Sequence, residues 1–218
     1  AYLAVNAQGD GVITSDEPFV NLEGVKFNKN LVSLQLQNDN FNASTITGCF
    51  FSCDGGKITK DPTIPFLFPD AHVYLEDALQ TPTFTYVGGK YCIFQDAYIG
   101  IKAVRSDINS ASCDFLNLMQ NGNPLLKGIG IVAENISSNP RTINVSSRFT
   151  NLKNGITVKG NYDIDISNND YFRDISDAAI FVNCFNYYRD ISIYNIINFL
   201  KCNIGIRIHG SNMHAVNI

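Results

Sequence analysis

Asp163, Asp165 and Asp190 are the residues whose type and spacing most suggest chemistry. Asp163 and Asp165 alternate with isoleucine in Tyr-Asp-Ile-Asp-Ile-Ser, and Asp190 opens the related run Asp-Ile-Ser-Ile. On adjacent extended strands the three carboxyls would share one face within a few ångströms. Like charges that close need a proton, a cation or an arginine beside them, and Arg173 and Arg189 are near in sequence. Three uses are open. Glycoside hydrolysis requires two carboxyls about 5 to 9.5 Å apart beside a groove, which Asp163 with Asp190 could supply. Asn144 and Asn217 could add oxygens for Ca²⁺, which takes about six or more. An acidic surface patch balanced by arginine needs no ligand.

A second group is Lys159, Arg207 and His209. A base and a cation of these types could remove the proton α to a uronate carboxylate and stabilise the enolate. Glu134 lies 25 positions before Lys159, and if the strands stack the two make a plain ion pair on a solvated face. Tyr162, Tyr171, Tyr187, Tyr188 and Phe181 read as exposed rings, either a stacking platform for the C–H face of a sugar or a contact with a neighbouring subunit. The absence of Trp favours the subunit contact, and a homotrimer is the expected assembly. Three histidines, His72, His209 and His214, without a Gly-x-Ser-x-Gly segment support neither a serine triad nor a phosphate loop.

These residues must be held by a repeat. From Gly130 onward the chain lines up with itself in coils of about 25 residues, starting at Gly130, Gly155, Ala179 and Gly205. Each coil carries two alternating pairs. The first are Ile131/Ala133, Ile156/Val158, Ile180/Val182 and Ile206/Ile208; the second are Ile143/Val145, Ile164/Ile166, Ile191/Ile193 and Val216/Ile218. A third element brings Phe149, Phe172 and Phe199. Strands this short bury an inner face only by stacking in parallel on their copies. The outward neighbours then form columns, Val132–Thr157–Phe181–Arg207 and Glu134–Lys159–Asn183–His209 on the first strand. On the second they are Thr142–Asp163–Asp190–Ala215 and Asn144–Asp165–Ser192–Asn217.

Residues 1–129 carry the same alternation less regularly, so the solenoid is expected to run through 1–218 as one domain, part of a longer rod because the last coil stops unfinished. Residues 60–82, with four of the seven prolines, read as a projecting loop. Asn168, Asn169, Asn195 and Asn198 read as stacked turn amides rather than a catalytic cluster.

Composition narrows the partners. A net charge of −4 without a basic stripe excludes nucleic acid as an expected partner, and no apolar run approaches the length of a membrane span. The six cysteines read as free, buried thiols, too sparse for a disulfide scaffold. Cys49-x-x-x-Cys53 has no second pair to complete a metal site, so no metal and no cofactor is expected beyond the weak Ca²⁺ option. The sequons at Asn42, Asn135 and Asn144 arise easily in a chain with 26 asparagines.

Gly155 to Asn161, Ile164 to Phe172 and their copies from Ala179 and Gly205 resemble the right-handed parallel β-helix superfamily of pectate-lyase-like enzymes, NosD-like repeat proteins and phage tailspikes. The resemblance covers about 40% of the chain strongly and implies an all-β, right-handed parallel β-helix and a polysaccharide or cell-surface glycan as ligand. The pectinase-hydrolase segments Asp-Asp and Gly-His-Gly and the pectate-lyase Arg-x-Pro-x-x-Arg are missing; Arg207-Ile-His209-Gly210 falls in that neighbourhood. The expected function is therefore a glycan-recognising rod, a segment of a tailspike, tail fibre or bacterial adhesin at the cell or virion surface. The ligand residues are Lys159, Phe181, Tyr187, Tyr188, Arg207 and His209. The alternatives are a polysaccharide lyase or glycoside hydrolase using Asp163, Asp165 and Asp190, and a purely structural spacer.

Overall fold

The alternation of apolar and polar residues is realised as strands almost throughout. The structure is a computed structural model, described for residues 3–8, 20–37, 44–53, 68–78, 81–167, 171–184, 190–195, 198–210 and 215–217. Among these the only helical element is one short 3₁₀ turn, Gln120–Gly122. The chain is all-β with parallel sheets, an arrangement consistent with a β-solenoid. Eight strands make the first sheet, in which Val5, Leu34, Val73, Ile101, Ile131, Ile156, Ile180 and Ile206 pair in turn, one per rung. A second, 13-stranded sheet carries two ladders. In one, Ile108, Ile143, Ile164, Ile191 and Val216 follow each other.

The other ladder holds the core. Phe27, Phe51, Phe94, Phe115, Phe149, Phe172 and Phe199 stack in one column, with ring centroids 4.7 to 5.4 Å apart. Parallel in-register pairing sets strands about 4.8 Å apart, so identical rings on successive rungs are brought to stacking distance by the backbone itself. Facing them is a wall of glycines. A Cβ on Gly130 would sit 2.7 Å from the Phe149 ring and 2.5 Å from Gly155 O, and one on Gly155 would sit 2.6 Å from both the Phe172 ring and Ala179 O. Close approach of backbone to ring, rather than an unusual φ, is what requires glycine there.

Corners are turned by single left-handed residues. Asp96, Asn117, Asn151, Asp174 and Lys201 have φ between 49° and 60° and succeed each other rung by rung, because Gln95, Leu116, Thr150, Arg173 and Leu200 just before them are paired. Asn and Asp tolerate this conformation best. Asn151 Nδ2 donates to Asn117 Oδ1 at 2.8 Å, an amide ladder in a different column from the one expected; Asn168 and Asn169 lie outside the described residues. Asn135 is buried and its Nδ2 donates to Asn139 O and Asn161 O, so that sequon is a turn device with its amide already engaged.

Three thiols stack as well. Cys113 pairs with Cys92, and Cys49 and Cys92 precede the paired Phe50 and Ile93. All are free and buried. Cys92 Sγ donates to Thr85 O at 3.2 Å and Cys113 Sγ to Phe84 O at 3.4 Å. Hydrogen bonding to Cys113, with burial, pushes the Cys92 thiol up to about 12; its bond to Cys92 and burial raise the Cys49 thiol still further. Thiolate is the reactive form. In native protein at pH 8 these two thiols are therefore expected to resist a chromogenic disulfide reagent for as long as the rod stays folded, and to react at once in denaturant. Fast titration of both in buffer would contradict the packing.

Two expectations need correction. Ala71–Glu76, inside the 60–82 segment, is a strand of the first sheet, paired to Val32–Gln37 on one side and Ile99–Val104 on the other; the alternation His-Val-Tyr-Leu-Glu outweighs the flanking prolines. Residues 54–67 lie outside the described residues. Tyr162 is fully buried, not exposed, and its hydroxyl donates to Ser106 O at 3.1 Å.

Candidate functional site

Register places the aspartates together on the outer face of the second sheet. Asp163 and Asp190 directly precede the paired Ile164 and Ile191, and Asp165 pairs with Asn144 on one side and Ser192 on the other. Tyr194 donates its hydroxyl to Asp165 Oδ2 at 3.4 Å. Arg173 is not beside them: it lies on the other ladder, its guanidinium 5.0 Å from the centre of the Tyr171 ring. Arg189, Tyr187 and Tyr188 lie outside the described residues.

The second group occupies the outer face of the first sheet. Lys159 Nζ donates to Glu134 Oε1 at 2.7 Å, and Arg207 pairs with Asp177 at 3.2 Å. Phe181 is flanked by the Arg207 guanidinium, 6.0 Å from its ring centre, and by the His209 ring, edge-on at 5.5 Å. Lys159 and Arg207 thus both have carboxylate partners, and Val132 and Thr157 in the same outward column are buried. No group of three or more His, Cys, Asp or Glu among the described residues is arranged to hold a metal ion.

Among the described residues, concave surface also lies beside residues 119–127, which alternation alone does not reveal. Residues 119–127 leave the rod as a finger closed by an antiparallel bridge between Met119 and Lys127. Within it Gln120 N donates to Leu126 O at 2.7 Å, Leu126 N to Asn123 O at 2.9 Å, and Leu125 N to Asn123 Oδ1 at 3.0 Å. Internal hydrogen bonds make such a loop a preformed shape. Its tip presents Leu125, 87% exposed, and Leu126, 48% exposed. Its signal in the sequence is Asn-Gly-Asn-Pro, two turn dipeptides in succession between alternating stretches.

Clefts lie on both sides of the finger. One, of about 270 Å³, is lined by Asp96, Asn117, Asn151 and Lys127 among others. The other, of about 300 Å³, is lined by Gln120, Leu125, Leu126 and Lys127 from the finger and by Tyr98, Lys153, Ser176 and Asp177 from the rod. Gly128, Lys153 and Asp177 stand on consecutive rungs, since Lys153 N donates to Gly128 O and Asp177 N to Lys153 O. Lys153 is exposed and has no ion pair among the described residues. Asp177, in the wall of this cleft, is ion-paired with Arg207, whose guanidinium lies 6.0 Å from the Phe181 ring centre. The chain matches no known protein-family model, no curated protein and no solved structure.

Proposed function

We propose that the chain is a glycan-recognising rod of the right-handed parallel β-helix kind, as in a tailspike, tail fibre or surface adhesin working at the cell or virion surface. The saccharide on this reading lies along the rod from Tyr98 past Lys153 and Asp177 to Arg207 and Phe181. One observation carries the reading: the cleft beside the finger is lined by apolar Leu125 and Leu126 on the finger side and by polar Lys153, Ser176 and Asp177 on the other. A pyranose has the same two-sidedness, an apolar C–H face and a hydroxyl edge. Rungs repeat about every 4.8 Å, close to the length of one sugar in a linear chain, so an axial polysaccharide would meet one rung per residue.

Binding is tested by calorimetry against a panel of acidic and neutral polysaccharides. Tyr98→Ala and Lys153→Ala are each expected to weaken binding by about tenfold, or roughly 1.4 kcal/mol, while Asp163→Asn leaves it unchanged. No binding by any member of the panel would favour a structural spacer.

A second reading has one observation behind it. Asp163 and Asp190 stand on adjacent rungs, whose spacing of about 4.8 Å is near the roughly 5 Å between the carboxyls of a retaining glycosidase. New reducing ends from the same panel, lost in Asp190→Asn, would support it.

A further inference from the structure

Among the described residues, Ser33 Oγ, Ser52 Oγ and His72 Nδ1 are buried side-chain atoms without a hydrogen-bond partner. Their residues are completely buried, where an unpaired polar group is costly. Register brings them to one corner. Ser33 and His72 directly precede the paired Leu34 and Val73, so they occupy one column on successive rungs. Ser52 follows Phe51, which pairs with Phe94, so it lies one rung from Gln95. His72 Nε2 donates to Gln95 O at 2.6 Å, spanning the corner between these two columns. Ser33 and Ser52 stand on those same two columns one rung earlier, and the Phe51 ring centre is 6.0 Å from that of His72.

The chemistry of the histidine is fixed by its partner. A carbonyl only accepts, so Nε2 carries the hydrogen, and burial keeps the ring neutral. Nδ1 is then a bare acceptor that needs a donor. Both serines have a hydroxyl hydrogen to give, yet neither reaches it. Side chains on successive rungs are about 4.8 Å apart, too far for a direct bond of about 2.7 to 3.0 Å and suited to a single bridging molecule. In the later rungs of this column stand Gly100, Gly130 and Gly155, which the phenylalanine rings close off, so the polar seat is confined to these two rungs.

We propose that Ser33, Ser52 and His72 bind one internal water, which donates a hydrogen to His72 Nδ1 and accepts hydrogens from both serine hydroxyls. Three hydrogen bonds to otherwise unsatisfied groups are what buried waters typically make. The bound water joins the first sheet to the phenylalanine ladder at the point where the glycine wall has not yet begun.

A crystal structure of the whole chain, refined with solvent, is expected to show one density peak within about 2.6 to 3.2 Å of all three atoms. A serine hydroxyl lying directly on Nδ1 with no such peak would overturn the proposal. In solution, Ser33→Ala and Ser52→Ala are each expected to lower Tm by about 2 to 4 °C. The double variant should lose clearly less than the sum, because each single change already disables the shared water. Additive losses, or no loss, would overturn it. Should either variant fail to fold, magnetisation transfer from a long-lived water to the His72 ring protons in the unaltered protein decides the matter, and its absence counts against the site.

Discussion

Phe115→Ala is expected to destabilise the rod by about 3 to 5 kcal/mol, the range for deleting a large aromatic side chain from a core that cannot collapse around the gap. Phe115 is fully buried, and its ring lies 4.7 Å from Phe94 on one side and 4.9 Å from Phe149 on the other, within 7° of parallel to both. Its removal takes away two stacked contacts, each worth about 0.5 to 1.5 kcal/mol beyond area burial. The neighbouring rings cannot close the gap, because each is anchored to its own strand at the inter-strand spacing. Phe199→Ala at the far end of the column should cost much less, since that ring is 39% exposed and has one stacking neighbour. Urea unfolding of the two variants beside the unaltered chain measures the difference. Equal losses at the two positions, or a loss below 1 kcal/mol at Phe115, would mean that the ladder does not hold the core.

Acid should weaken the fold through His72 well above the carboxylate range. Burial, only partly offset by the hydrogen bond to Gln95 O, lowers its pKa to about 4 from the ordinary 6.5. Between those values the unfolded chain holds a proton that the native chain does not. Stability is therefore flat above about pH 6.5 and falls as pH drops toward 4, by about 1.4 kcal/mol per pH unit and about 3 kcal/mol in all. Asp77, whose carboxyl Arg105 holds below its usual value, adds a loss in the same direction at lower pH, so the windows are distinguishable. His72→Gln keeps a donor for Gln95 O and removes the titration. Its unfolding midpoint should vary little between pH 6.5 and 4.5, and a slope as steep as that of the unaltered chain would show that another group titrates.

The last four coils were legible because their spacing hardly varies. Ile131, Ile156, Ile180 and Ile206 fall 25, 24 and 26 residues apart and pair with one another, and the outward columns follow at once: Val132, Thr157, Phe181 and Arg207 are in register as read from the sequence. Earlier the intervals stretch; Leu34 pairs with Val73 across 39 positions. A period that drifts this far does not show in a self-comparison, so Phe149, Phe172 and Phe199 align by spacing and the four phenylalanines stacked before them do not.

The candidate site was less legible than the fold. Alternation identified Lys159 and Arg207 as outward but could not say that Glu134 and Asp177 already occupy them. The burial of Tyr162 follows only when parity is counted from the start of its strand, where Tyr162, Ile164 and Ile166 share the inner face. The finger at residues 119–127 interrupts a strand pattern that resumes in register, as Ile99 with Ile129, so alternation runs on across it in the sequence.

That freedom of interval has an evolutionary side. Between one rung and the next the chain may spend 24 residues or 39, yet the ladder resumes in phase, because register is set by what stacks and not by how much chain lies between. Length can therefore change at the bends by insertion and deletion without a compensating change elsewhere. A lineage can lengthen, trim or exchange its surface loops one at a time on an inherited scaffold, with sequence similarity eroding much faster than architecture.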